Sequence, residues 1–222
     1  MKKLSFLIAT IIISVGACNN APKADEGVTG GKETVVATGG TAYTVDTTSV
    51  VNWTGSKPTR QHQGTFKLRD GALMVQDNAL TGGKFTIDMA SLKNIDMAAD
   101  IENKNKLEGH LKSPDFFDVS KYPTATFEII SVSPFKADSS KKDLIFRDAT
   151  HTIKGNLTLK DSTKSISFPA KVTVDSKTAA ASAEFNIDRT QWGINYKGPN
   201  NPQDWVISKT VNIKFSISAT RK

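Results

Sequence analysis

Near the end of the chain Val211, Ile213, Phe215, Ile217 and Ala219 alternate without a break against Asn212, Lys214, Ser216 and Ser218. Successive side chains of a strand point to opposite faces, so this pattern demands a strand with one dry and one wet side. The same period of two runs through Ile153, Gly155, Leu157 and Leu159, through Ile166, Phe168, Ala170, Val172 and Val174, and through Ala181, Ala183, Phe185 and Ile187. Shorter examples are Tyr43 with Val45, Val51 with Trp53, Phe66 with Leu68, Leu73 with Val75, Phe85 with Ile87, and Phe127 with Ile129. Half-wet strands separated by turns must close over a shared interior, as an antiparallel barrel or as a sandwich. The alternation fits both.

One helical stretch interrupts the strands, Ala98 to Lys112, in which Leu107 and Leu111 lie one turn apart. It is predicted to lie across an end of the sheet. The segment from His110 to Phe127 then reads HLKSPDFFDVSKYPTATF. Ser113 before Pro114 reads as a helix N-cap with proline at the first helical position, which predicts a short helical turn starting there. Phe116 and Phe117 are adjacent and cannot share one stripe, so one is expected to face inward and the other to seal a neighbouring surface. Pro123 forces Tyr122 into an extended conformation, and the strand of Phe127 and Ile129 follows. The whole is a helix-to-strand corner suited to plugging one end of a fold.

This corner occurs in order with His62-Gln63-Gly64-Thr65-Phe66, with Gly155-Asn156-Leu157-Thr158-Leu159 and with Asp188-Arg189-Thr190-Gln191-Trp192-Gly193-Ile194. Together they resemble the YceI-like lipid/polyisoprenoid-binding family, over Tyr43 to about Tyr196 and the final strand. The resemblance implies an all-β fold, an extended lipocalin-like antiparallel β-barrel of about eight strands with an apolar interior, closed at one end by a short helical segment. The chain departs from the family at Asp161-Ser162-Thr163-Lys164, where a glycine is usual, and in a long loop from Asn195 to Trp205.

The N-terminus carries a different message. Lys2 and Lys3 precede the apolar run Leu4 to Val15, and small residues lead to Cys18, the only cysteine. The run is shorter than the ~20 residues a bilayer span needs. Residues 1–17 therefore read as a signal peptide with a lipobox, and Cys18 as a site of lipidation; an inert buried thiol is the alternative. Acyl chains would anchor the protein, each buried methylene contributing ~0.8 kcal/mol. Residues 18–40, polar and glycine-rich, read as a flexible tether of roughly 25 Å, with Val28 and Val35-Val36 as an alternative edge strand. Residues 41–222 form a single barrel domain. The expected location is the cell envelope, lipid-anchored in the periplasm or at the outer membrane. Nothing in the sequence sets an oligomeric state.

Loss of residues 1–17 removes two lysines and lowers the formal charge from +7 to +5. The remaining lysines are scattered through alternating segments, as on a solvated outer face, and not clustered with aromatics as nucleic acid requires. No nucleic-acid partner is expected. His62, His110 and His151 lack metal-ligand spacing, so no metal is expected unless the fold brings two of them together. No nucleophile sits in a recognisable elbow. Asp188 with Arg189 reads as an ion pair bracing the barrel rim. These absences exclude a recognisable catalytic constellation, and the protein is read as a non-enzyme with no cofactor other than a bound isoprenoid lipid.

If the dry face lines a lumen, Trp53, Phe66, Phe85, Phe127, Leu157, Phe168, Phe185 and Phe215 are its candidates. Burying one five-carbon isoprene unit there is worth on the order of 3–4 kcal/mol before entropic costs. A head group must stay near water. The turn Lys57-Pro58-Thr59-Arg60-Gln61-His62 offers Lys57, Arg60 and His62 as donors to an anionic or carbonyl oxygen; a solvated turn with no ligand contact is the alternative. The reading that results is a membrane-anchored carrier or sequestering protein for a polyprenyl phosphate or a quinone, the ligand class coming from the resemblance. A protein-interaction module with a self-filled barrel, presenting the loop Gly198-Pro199-Asn200-Asn201-Pro202, and a hydrolase on a lipocalin-like barrel are the competing readings.

Overall fold

A computed structural model describes residues 21–36, 39–136, 145–197 and 207–221. The signal peptide, Cys18 and the loop Gly198–Pro202 lie outside them. The strands are β1 (Asp25–Glu26), β2 (Val28–Gly31), β3 (Thr41–Val45), β4 (Val50–Lys57), β5 (Arg60–Gln76), β6 (Ala79–Asn94), β7 (Thr124–Pro134), β8 (His151–Leu159), β9 (Ser162–Val174), β10 (Thr178–Asp188) and β11 (Thr210–Arg221). A helix, α1 (Ile101–Lys112), joins β6 to β7, and a 3-10 turn over Arg189–Trp192 follows β10.

β5 through β11 pair antiparallel in chain order, and β11 returns to β5 through β3 and β4. These two share one position. β3 pairs with the Ala219–Arg221 end of β11, and β4 with the Val211–Ser216 end. The result is a closed barrel of eight strand positions, and the choice between barrel and sandwich is settled. The dry residues read from the alternation form its core, including Tyr43, Leu73, Ile166 and Ile217. Closure is helped where aromatic rings lie over glycines: a Cβ at Gly64 would collide with the Trp53 indole, and one at Gly155 with the Phe127 ring. The β5–β6 hairpin turns on Asp77 and Asn78, both at positive φ (51° and 58°), the geometry that matches strand twist. In the β8–β9 turn Lys160 takes φ 56°, so this chain makes without glycine the turn where its sequence departs from the family.

Two local expectations need correction. Ser113 does not start a helix; it caps the C-terminus of α1, its backbone N–H bonded to His110 O, and Asp100 is the N-cap, accepting from Asn103 N–H. Pro114 cannot extend the helix, so the corner becomes a turn in which Phe116 and Asp118 N–H both donate to Ser113 O.

The tether is the second. Residues 21–36 do not hang free but run along the outside of the barrel. β9 and β10 pair only over Lys171–Val174 and Ala179–Ser182, which leaves a seam above that point. β1 enters it parallel to β10, and β2 antiparallel to β9. Gly27 N–H donates to Asn186 O at 2.8 Å, and Asn186 Nδ2 donates to Pro22 O at 3.1 Å. Asn156 exchanges two hydrogen bonds with the Glu33 backbone. Open sheet edges leave N–H and C=O groups without partners, and the segment satisfies them. The alternative of an edge strand at Val28 is what forms; composition favoured disorder because the docked segment makes its bonds through backbone and not through apolar side chains.

Candidate ligand-binding site

A cavity of about 440 Å³ opens from the barrel at the end that carries α1 and the β4–β5 turn. Its walls are aliphatic and aromatic, a composition typical of small-molecule sites of a few hundred Å³. All eight lumen candidates, Trp53, Phe66, Phe85, Phe127, Leu157, Phe168, Phe185 and Phe215, line it. So do Lys57, Arg60 and His62.

The floor is an aromatic cluster. Phe168 stacks on Phe185 with centroids 4.0 Å apart, Phe127 lies 5.8 Å from Phe168 and 5.4 Å from Phe85, and Phe215 packs edge-on at 5.8 Å from Phe168. Beyond this floor Tyr43, Val45, Leu73, Val75, Ile153 and Ala170 fill the other half of the barrel and line no part of the cavity. The lumen is therefore a cup. The sequence could not divide the dry residues into cup and plug because both halves carry the same alternation.

The corner segment closes over the mouth. Phe116 is buried against His110 and Tyr196, with centroids 5.1 and 5.2 Å away, while Phe117 meets Phe66 edge-on at 5.6 Å. Adjacent residues thus serve two surfaces, as their spacing requires. Leu107 and Leu111 of α1 also border the cavity. The three histidines have separate partners: His62 Nδ1 meets Asp96 at 3.0 Å, His110 Nε2 meets Asp115 at 2.9 Å, and His151 meets the Thr150 hydroxyl. Asp96 gathers the first of these contacts. Burial would raise its pKa, but bonds from Gln63 N–H, His62 and the Asn94 amide outweigh that and hold it below the ordinary carboxylate range.

Arg189 is a cavity-bordering residue whose contacts the sequence misstated. It does not bond Asp188, which instead pairs with Lys209 at 3.3 Å and accepts from Thr190 N–H. Its guanidinium is buried and donates to four carbonyls, Ser208 O, Ile194 O, Tyr196 O and Ile207 O. Five rigid donors on a stiff plane suit that task. Burial pushes the Arg189 pKa down and the nearby Asp188 charge opposes the shift. Arg189, Tyr196, Lys197 and Ser56 all border the cavity although the sequence marked none of them as a site residue; they come from a crossover and a strand end, where no periodicity exists to read. Among the described residues, Trp53 Nε1 and Ser56 Oγ are buried without a hydrogen-bond partner; both residues border the cavity, but these two atoms have almost no accessible surface.

A closed antiparallel barrel with an apolar cup and a polar mouth defines a small-ligand-binding barrel of the lipocalin-like kind. The YceI-like domain model matches residues 43–219, and the chain belongs to that family. It is 31% identical over 109 residues to Protein YceI of Escherichia coli, covering 49% of this chain and 48% of that protein. A UPF0312 protein of Pseudomonas putida is 27% identical over 165 residues, 72% of this chain and 73% of the relative. Among solved structures, BcnA of Burkholderia cenocepacia superposes with a TM-score of 0.59 at 20% identity, over 79% of this chain and 99% of that one. A polyisoprenoid-binding domain from Saccharophagus degradans, implicated in plant cell wall breakdown, gives 0.58 at 17% identity, over 82% and 99%. These likenesses show the fold.

Proposed function

We propose that the protein is a non-enzymatic, membrane-anchored binding protein that sequesters or carries an isoprenoid-type lipid, a polyprenyl phosphate or a quinone, with its tail in the cup and its head at the mouth. The observation that carries this is an apolar cavity among the described residues, open at one end, in a family with a structural neighbour described as polyisoprenoid-binding. Apolar burial alone gives such a site useful affinity, since each isoprene unit contributes on the order of 3–4 kcal/mol before costs. The head-group candidates Lys57, Arg60 and His62 all border the cavity, and His62 also meets Asp96.

Anchoring is proposed through lipidation of Cys18 in the cell envelope, in the periplasm or at the outer membrane. With residues 21–36 docked on the barrel, three residue steps separate Cys18 from Ala21, about 10 Å at full extension. The barrel would ride against the membrane and not at the end of a long tether. Native mass spectrometry of protein purified from its own membranes, with lipid extraction, tests the reading. A prenyl lipid should co-purify, and protein consistently free of lipid would favour an interaction module. In parallel, Cys18→Ala should leave the membrane fraction and lose metabolic fatty-acid label; persistent label would sink the lipobox.

A further inference from the structure

The strap made by residues 21–36 lies over the wall of the cup and not over the filled half of the barrel. Asp25 pairs with Phe185 and Thr29 with Ile166, and Ile166, Phe168, Phe185 and Ile187 all border the cavity. A Cβ on Gly27 would stand 2.8 Å from Ile166 Cδ1, so Ile166 meets the strap on the outside and the cup on the inside. Between this level and the mouth β9 and β10 share no backbone pairs, their pairing ending at Lys171 and Ser182. Each keeps its other neighbour: β8 holds β9 over Ser162–Ala170, and β11 holds β10 over Thr178–Asp188. Parting β9 from β10 here breaks the bonds of the strap and leaves those two ladders whole.

What holds the strap is polar. Asp25 accepts from Ile145 and Phe146 N–H at 3.2 and 2.9 Å, and Glu33 pairs with Lys154 at 2.6 Å and accepts from Ser165 Oγ at 3.3 Å. Of residues 21–36 only Ala24 is buried, and Val28 is 64% exposed. A segment with few buried apolar contacts and solvent-exposed backbone bonds opens at a lower free energy than the barrel that carries it. Its start, Ala21, is three residue steps from Cys18, which sets the seam on the side of the barrel nearest the proposed anchor. An apolar tail that passes through the seam leaves the bilayer without crossing water on its way to the α1 end.

We propose that the seam between β9 and β10 is a lateral portal into the cup and that residues 21–36 are its latch. Undocking of the strap lets an apolar ligand move sideways between membrane and cup, and redocking seals the wall behind it. This rests on the reading of the cup as an apolar-ligand site and of Cys18 as the anchor.

The test is the loading rate of the lipidated mature chain, reconstituted in phosphatidylcholine vesicles and mixed with vesicles carrying retinol. Trp53 borders the cup, so energy transfer from tryptophan to retinol reports entry. Val28 and Ser167 are register partners, and antiparallel partners have Cα atoms ~4.5–5.5 Å apart, within disulfide reach. Cys18 is the only native cysteine and its thiol is consumed on lipidation, so Val28→Cys/Ser167→Cys supplies one pair that staples the strap to β9. Oxidised, this variant should load roughly tenfold more slowly or worse, reach the parent's final signal, and regain the parent's rate on reduction. Asp25→Ala/Glu33→Ala, which needs no disulfide, should loosen the strap and load about threefold faster or more. Loading of the oxidised variant at the parent's rate sends the ligand through the α1 end and overturns the portal; so does an Asp25→Ala/Glu33→Ala chain that loads no faster than the parent, and either result leaves retinol binding intact. A parent that gives no energy transfer at equilibrium overturns the apolar site itself, and one that fails to float with the vesicles overturns the anchor.

Discussion

Phe168 and Phe185 lie on neighbouring strands with ring centroids 4.0 Å apart and planes within 8° of parallel. They sit where β9 and β10 have already parted, so the stacked rings bridge the seam from inside while the N-terminal segment bridges it from outside. The same pair is the floor of the cup. Integrity of the wall and depth of the site are thus set by one contact.

Phe185→Ala should deepen the cup by taking one ring out of its floor. Loss of a buried phenylalanine with incomplete collapse costs about 3–5 kcal/mol. Urea unfolding should show that loss, and the variant should accept a longer prenyl tail than the parent. A loss below ~1 kcal/mol would mean that the neighbouring rings refill the gap and that the floor is not rigid.

How far the sequence reached differs from element to element. Long strands were legible as pattern but not as units: Phe66 with Leu68 and Leu73 with Val75 read as two strands, because the dry phase slips by one residue between them. β5 carries both, and register shifts near Asp70 absorb the slip. Lumen residues were legible because a barrel wall obeys the period of two. The mouth was not. Arg189, Tyr196 and Lys197 take their positions from a crossover held by backbone carbonyls, and carbonyls leave no trace in sequence. The docked N-terminus was legible only as an alternative, an edge strand at Val28, because apart from that valine its strands are made by glycines and polar residues.

Gly27→Val tests that docked segment. A Cβ at Gly27 would press on the Ile166 side chain and the Asn186 carbonyl, and Ile166 belongs to both core and cavity wall. Overpacking of this kind costs about 1–3 kcal/mol. Hydrogen exchange should speed up in residues 164–167 of β9 and in Gly27, with the β5–β6 hairpin unaffected. Unchanged exchange at the seam would show that β1 and β2 are incidental to closure.

Asp96 carries a pH signature. Its pKa lies below the usual carboxylate value in the folded state, so the stability it contributes is complete above the unfolded value, ~3.9, and drains away as pH falls through the folded one. Asp96→Ala should lower Tm at pH 7, because Gln63 N–H and the Asn94 amide lose an acceptor. The gap between variant and parent should shrink only below about pH 4. A gap that vanishes well above that pH would show that the Asp96 carboxylate is not held below its ordinary range in the folded state.

Arg189→Lys separates the rim brace from an ion pair. A lysine keeps the charge beside Asp188 but offers a single ammonium with three donors, and it cannot reach four carbonyls spread over Ile194, Tyr196, Ile207 and Ser208. Each buried carbonyl left without a donor costs about 1–3 kcal/mol, so the variant should lose on the order of 2–4 kcal/mol in urea unfolding. Charge is conserved in this exchange, and an electrostatic role would leave stability within about 0.5 kcal/mol of the parent. The losses should concentrate at the mouth: the amide of Ser208, which bonds Ser56 O at 2.8 Å, should exchange faster, while Ile217 and Ala219 at the filled end keep their protection. Fast exchange at both ends would mean that Arg189 holds the whole barrel and not its rim.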